Sequence, residues 1–200
     1  MYIENMTNVI LASKSPYRKQ LLERLNFDFD CVNSDFDESS LKGEITDPYE
    51  LTRQLSIAKA KAIEKDFPTS IIIGSDQVCY FEDTILGKTG CYDKSLEQLS
   101  NMSGKTHELY TSYAIIYQGT QIVHTNITKL KMKNLTELQL KKYLSTDNPI
   151  DCAGSYKLEL KGISLMEEIN TVDETAIIGI PILSLSKDLS KLGITIPRDV

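Results

Sequence analysis

Two stretches of β-prone sequence, residues 108–117 and 121–130, are separated only by Gln118, Gly119 and Thr120. That spacing is the signature of a β-hairpin, with glycine in the turn. An antiparallel ribbon of this length requires the remaining segments to pack on a sheet, and they supply both strands and helices. Residues 9–12 are a short apolar run that reads as a buried strand. Residues 18–25 read as an amphipathic helix, with Ser15 as N-cap and Pro16 where a first helical residue tolerates proline. Residues 27–32 look like a second strand, and the acidic stretch 33–47 is loop-like. Residues 48–67 are the longest helical pattern, capped by Asp47 and followed by Pro68. Residues 70–74 form a β-branched strand ending in Ser75-Asp76-Gln77, and a turn at Glu82-Asp83 returns through Ile85-Leu86-Gly87. Further helices are predicted at 95–102, after the cap Thr136 to about 144, and at 181–192, with a strand at 164–169. The alternation predicts an α/β fold: a twisted mixed sheet with flanking helices and an antiparallel hairpin. A chain of 200 residues suits one domain over 1–200, or two small lobes around a cleft.

Composition excludes several function classes. No apolar run reaches the roughly 18–20 residues that a membrane span needs. The polar opening, residues 1–8 with Glu4, fits neither a signal peptide nor a transit peptide. With 22 basic and 28 acidic residues the net charge is −6, which argues against a nucleic-acid polymer as partner. An acidic chain can still hold a polyphosphate where basic groups are locally concentrated. The four cysteines, Cys31, Cys79, Cys91 and Cys152, form no C-x-x-C pair and read as reduced thiols of a cytoplasmic protein. Only two histidines are present, His107 and His124, which argues against structural zinc and against a histidine-based triad. Carboxylates, lysines and arginines remain, the working set of magnesium-assisted phosphate chemistry.

Four constellations carry that chemistry, and each has an ordinary reading beside it. Ala12-Ser13-Lys14-Ser15-Pro16-Tyr17-Arg18 runs from a strand into a helix start, where free N–H groups and two cations make an anion site. The ordinary reading is a capped surface helix. Gly74-Ser75-Asp76-Gln77 delivers a carboxylate at a strand end, placed to bind a metal or take a proton, or simply to bond nearby backbone. Leu86-Gly87-Lys88-Thr89 resembles the end of a Walker A loop but lacks the required glycine, since position 82 is Glu82. Lys88 can still reach phosphate from a tight turn. The run from Asp151 through Cys152-Ala153-Gly154-Ser155-Tyr156-Lys157-Leu158 to Glu159 joins small residues to a carboxylate, which permits close ligand approach or marks a bulge. His107 reads as a surface or packing residue, and His124 carries no role.

Taken together, these segments resemble the Maf family of nucleoside triphosphate pyrophosphatases. The resemblance begins at Leu11-Ala12-Ser13-Lys14-Ser15-Pro16-Tyr17-Arg18-Lys19-Gln20-Leu21-Leu22 and continues through Asp37-Glu38, Ala58-Lys59-Ala60, Ile73-Gly74-Ser75-Asp76-Gln77-Val78 and Ile85-Leu86-Gly87-Lys88. It resumes at Met102-Ser103-Gly104, Tyr110-Thr111 and Cys152-Ala153-Gly154-Ser155-Tyr156-Lys157, and ends at Ile178-Gly179-Ile180-Pro181-Ile182. It implies a Maf/ITPase-like fold with a long cleft between two lobes, and hydrolysis of the α–β phosphate bond with a divalent cation, Mg²⁺ or Mn²⁺. It further implies Asp76 as the general base. Ser13, Arg18, Lys59 and Lys88 match positions expected to hold the triphosphate, and Glu38 with Asp76 positions expected near the metal. Family members are often dimers, which leaves a homodimer open.

Three positions separate the branches of the family. Tyr17, Gln77 and Glu159 resemble the branch that hydrolyses 7-methyl-GTP, rather than the dTTP and UTP branch with arginine, threonine and glutamine there. An aromatic face attracts the cationic methylated purine by roughly 0.5–2 kcal/mol. A buried carboxylate would accept from the guanine N1–H and exocyclic amine as a charge-assisted pair. Two departures are present: Leu160-Lys161 intervene before Gly162, and Tyr17 stands where an indole is usual. The alternatives are a dTTP/UTP or broad modified-nucleotide pyrophosphatase, and a non-hydrolysing nucleotide-binding regulator of cell division.

Overall fold

The computed structural model describes residues 8–198. The polar opening read above as neither signal nor transit peptide therefore lies almost wholly outside the described residues. In chain order the elements are β1 (Val9–Ala12), α1 (Pro16–Glu23), β2 (Asp30–Val32), α2 (Ser39–Glu44), α3 (Pro48–Glu64), β3 (Ile71–Phe81), β4 (Thr84–Leu86), α4 (Tyr92–Met102), β5 (Thr106–Tyr117), β6 (Thr120–Met132), α5 (Glu137–Asp147), β7 (Met166–Asn170), α6 (Thr175–Ile178) and α7 (Ile182–Lys191). A 3₁₀ turn, Lys161–Leu165, precedes β7.

All seven strands join one mixed sheet in the order β2-β1-β3-β5-β6-β7, with β4 pairing β3. β1 is parallel to β2 and β3, while β3-β5, β5-β6 and β6-β7 are antiparallel. The expected hairpin is present, with Tyr117 paired to Thr120 at its tip. Helix starts follow the local chemistry: Ser15, Asp47 and Thr136 each accept a backbone N–H of the first turn. The apolar core divides along the sheet. One cluster packs α1 and α7 against Val9, Leu11, Ile71, Ile73 and Tyr113. Another packs α4 and α5 against Cys79, Phe81, Leu109 and Leu130 at the opposite end. A third places Ala60 and Ile63 of α3 over Ile10 and Ile72. The two ends are the two lobes, joined by the long strands they share.

Several expectations are corrected. The strand foreseen at 27–32 shrinks to β2, because Phe27 packs into the α1–α7 core and its ring meets Phe29 at 5.5 Å. The acidic loop 33–47 contains α2, whose first turn begins where Asp37 Oδ1 accepts the Ser39 N–H at 2.9 Å. The strand placed at 70–74 does not end at Asp76. It continues to Phe81, because antiparallel pairing with β5 runs unbroken from Ile72↔Ile116 to Tyr80↔Glu108. The strand foreseen at 164–169 starts later, after the 3₁₀ turn, and the short α6 was not anticipated.

One glycine sets the spacing between α3 and the sheet. A Cβ on Gly74 would lie 2.1 Å from the Ser56 carbonyl oxygen and 2.8 Å from the Ala60 nitrogen, both backbone atoms of α3. Only glycine permits that approach. Gly74→Ala is expected to lower stability by about 1–3 kcal/mol in urea unfolding, since backbone must move to admit a methyl group. Gly43→Ala, where nothing lies within 4 Å, serves as the control and should change stability by at most about 1 kcal/mol, in the stabilising direction. Equal behaviour of the two variants would contradict the close contact.

Candidate active site

The cleft arises where β3 loses a neighbour. β1 accompanies β3 only as far as Ile73, and β4 begins only opposite Cys79. Residues 74–78 therefore have β5 on one side and no strand on the other. A cavity of about 970 Å³ occupies that gap, and all nine singled-out positions line it: Ser13, Tyr17, Arg18, Glu38, Lys59, Asp76, Gln77, Lys88 and Glu159. Because successive side chains of a strand point to opposite faces, Asp76 meets the cleft from the α3 face and Gln77 from the other.

On the first face, Lys59 is the pivot. Its Nζ donates to Asp76 Oδ1 at 2.5 Å and lies 2.6 Å from Glu38 Oε1. Asp76 is 7% exposed, and no protein donor among the described residues bonds its Oδ2. Glu38 also pairs with Lys42 of α2, a cation in the cleft that the sequence reading missed. Partial burial opposes the charge on Glu38, but hydrogen bonds from Lys42 and Lys59 outweigh it and hold the carboxyl down at about 2.

At the head of α1, Ser13 Oγ accepts from the Ser15 N–H at 3.2 Å and faces Arg18 Nη1 at 3.5 Å. Arg18 Nε donates to the Gly179 carbonyl at 2.9 Å. Ser75 donates to the same oxygen at 2.9 Å. Burial pulls the Arg18 guanidinium down from its ordinary value, while Asp76 and then Glu38 raise it. The loop carrying Gly179 is itself held by Asp173, which accepts from Thr175 N, Thr175 Oγ1 and Leu183 N at 2.9, 2.6 and 2.8 Å. Asp173 and Thr175 were not anticipated in this role.

On the second face, the two N–H protons of Gln77 Nε2 face three acceptors, Thr111 Oγ1, Ala176 O and Ile177 O, at 2.9, 2.8 and 3.0 Å. Lys88 is exposed and forms a short antiparallel bridge with Ala153. Gly154 has a left-handed φ of 78°, and an added Cβ would meet Tyr156 and Cys79, so its turn serves internal packing. Glu159 is exposed at the rim, which corrects the expectation of a buried acceptor. Partial enclosure nevertheless pushes its carboxyl above the ordinary value, Lys157 opposes this, and Asp147 and Asp151 add to it. His107 is a packing residue: it is 1% exposed and its Nε2 lies 2.8 Å from the Tyr156 hydroxyl. All four cysteines are unpaired.

Two carboxylates of the cleft, Glu38 and Asp76, are the candidate ligands of a divalent cation. Among the described residues no group of three or more His, Cys, Asp or Glu could hold one unaided. Glu38 and Asp76 both reach the single cationic centre of Lys59. Two converging carboxylates fit an ion of the magnesium type, which takes its remaining ligands from phosphate and water.

The Glu38 pairing has a pH consequence. Its folded value of about 2 lies below the ordinary 4.5, so its stabilisation is complete above 4.5 and is lost as pH falls toward 2. The stability of the native protein relative to Glu38→Gln should therefore shrink across that window in urea unfolding. A constant difference would mean that charge plays no part.

Comparison with known proteins agrees with this architecture. The sequence profile of the family described as Maf-like protein matches residues 8–192. The chain is 38% identical over 192 residues to the 7-methyl-GTP pyrophosphatase of Xanthomonas axonopodis pv. citri (strain 306), covering 96% of this chain and 100% of that protein. It is 39% identical over 186 residues to the 7-methyl-GTP pyrophosphatase of Bdellovibrio bacteriovorus, covering 93% and 97%. In fold it is similar to a HAM1 protein from Coxiella burnetii, with TM-score 0.53 at 10% identity, covering 93% of this chain and 100% of that one. No helix of the described residues is long and apolar enough to cross a membrane. With the profile spanning nearly the whole chain and full-length relatives well above 30% identity, the protein belongs to the Maf family.

Proposed function

We propose that this chain is a nucleoside triphosphate pyrophosphatase that cleaves the α–β phosphate bond, releasing a nucleoside monophosphate and pyrophosphate, with 7-methyl-GTP as its preferred substrate. The observation that carries the reading is the convergence of Lys59, Arg18, Ser13, Lys88 and Asp76 with Tyr17, Gln77 and Glu159 on one cleft. The names of the full-length relatives support the same chemistry.

In this reading Asp76 is the general base. Its Oδ1 is committed to Lys59, which leaves Oδ2 to accept a proton from water. The water oxygen bonds to the α-phosphorus, the bond to the bridging oxygen breaks, and pyrophosphate departs with that electron pair. Lys59, Arg18 and Lys88 carry the triphosphate, whose about four negative charges need such a cluster in a chain of net charge −6. Ser13, whose hydroxyl stands at the head of α1 beside Arg18, completes the anion site. Glu38 and Asp76 would hold a divalent ion, which supplies positive charge to the phosphate oxygens when bound. Tyr17 offers an aromatic face to the methylated purine, and Gln77 and Glu159 offer polar contacts to its edge. The four unpaired cysteines suit action in the cytoplasm.

The test is pyrophosphate release from 7-methyl-GTP, GTP, dTTP and UTP with Mg²⁺ or Mn²⁺. Turnover is expected to be highest on 7-methyl-GTP; preference for dTTP or UTP would overturn the substrate assignment, and binding without turnover would overturn the activity. Asp76→Asn should lower kcat by about 10²–10⁴ with the fold unchanged by circular dichroism. Near-normal turnover in that variant would remove Asp76 from the role. Tyr17→Ala should weaken 7-methyl-GTP more than GTP, whereas equal losses would show that the ring does not sense the methyl group's charge.

A further inference from the structure

We propose that Lys42 is an exchangeable counter-ion of the cleft: it holds Glu38, gives that carboxylate up to a divalent cation, and passes to the phosphates as a further nucleotide-binding residue. The proposal rests on the nucleotide reading above and adds to it a cation that no motif singled out.

Glu38 has two carboxylate oxygens, and each faces a lysine. Oε1 lies 2.6 Å from Lys59 Nζ, and Oε2 pairs with Lys42 Nζ. Coordination of a cation by Glu38 therefore brings it against two ammonium groups on the same carboxylate, and like charges at that range repel. One lysine must withdraw, and the two are not equivalent. Lys59 has a second carboxylate, Asp76 Oδ1 at 2.5 Å, and its side chain is 12% exposed. The Lys42 ammonium has Glu38 alone among the described residues, and its side chain is half exposed. It stands on α2, a helix of six residues of which none is buried. Exposed ion pairs four residues apart on a helix contribute little, so Lys42 is the one released.

A freed Lys42 stays in the cleft, which it lines together with Lys59 and Lys88. The charges of the group balance, with Lys42 and Lys59 against Glu38 and Asp76. Adding a divalent ion alone puts positive charge onto a neutral set. A triphosphate brings about four negative charges, enough to receive both that ion and the released ammonium. Lys42 thus opposes the cation when no nucleotide is present and supports the nucleotide when both are. A lysine that only stiffened α2 would do neither.

The experiment measures two affinities on the full chain. One is for Mn²⁺ alone, by electron paramagnetic resonance. The other is for a 7-methyl-GTP analogue with methylene in place of the α–β bridging oxygen, by calorimetry with Mg²⁺. Native protein is compared with Lys42→Met, Lys42→Arg and Lys141→Met. Lys141 forms the same four-residue pair with Glu137 on α5, outside the cleft, and controls for the loss of one positive charge. Lys42→Met should bind Mn²⁺ about 3- to 10-fold tighter and the analogue about 3- to 30-fold more weakly. Lys42→Arg keeps the charge and should reproduce native protein in both. Affinities that move in the same direction in Lys42→Met, or that match Lys141→Met, overturn the proposal, as does a Lys42→Arg that behaves like Lys42→Met. Native protein that binds neither Mn²⁺ nor the analogue overturns the nucleotide reading and this inference together. Native protein that binds the analogue but releases no pyrophosphate from 7-methyl-GTP defeats the hydrolytic reading alone and leaves the exchange standing.

Discussion

Helix α3 lies against strand β3 closely enough that backbone touches backbone, and Gly74 is what allows it. The site depends on that contact. Ser56 and Ala60 are the two α3 residues whose backbone the missing Cβ would strike, and Lys59 stands between them in sequence. Asp76 is two residues beyond Gly74 and shares its face of the strand. Close packing at Gly74 thus places the Lys59 ammonium 2.5 Å from Asp76 and within reach of Glu38. Asp76 and Lys59 are largely enclosed and Glu38 is partly buried, so loss of the lysine would strand a carboxylate away from water.

The second constraint is topological. A strand inside a sheet normally shows one side chain to each layer and hides its edges. β3 is uncovered on one edge between the end of β1 and the start of β4, so both of its faces open onto one cleft. This separates the chemistry by face. Asp76, Lys59, Glu38 and Lys42 meet from the α3 side, while Gln77, Thr111 and the carbonyls of α6 meet from the other. In the proposed reading Asp76, on one face of a single strand, acts at the phosphoanhydride, and Gln77, on the other, reads the base.

The features legible in the sequence are those written locally. Ser15 with Pro16, and Asp47 with Pro48, announce helix starts because capping is a contact between near neighbours. The hairpin is legible for the same reason. Length of β3 was not, because its continuation through Gly74 and Asp76 is dictated by pairing with β5 and not by its own apolar pattern. Of the site, the resemblance supplied Asp76, Lys59, Glu38 and the positions that separate branches. The contacts between them could not be read. Lys59 and Asp76 are 17 residues apart, and Arg18 meets Gly179 across 161. Lys42 lay in the stretch read as a loop, with no motif to single it out. The partners of Gln77 include two backbone carbonyls, which have no signature in side-chain chemistry.

The most direct measurement of the central claim is a crystal structure with a 7-methyl-GTP analogue whose α–β bridging oxygen is replaced by methylene. The account places its α-phosphorus beside Asp76 and Lys59, and its methylated ring on the Tyr17 and Gln77 side of β3. A nucleotide bound with base and phosphates exchanged between the two faces, or bound outside the gap between β1 and β4, would contradict it.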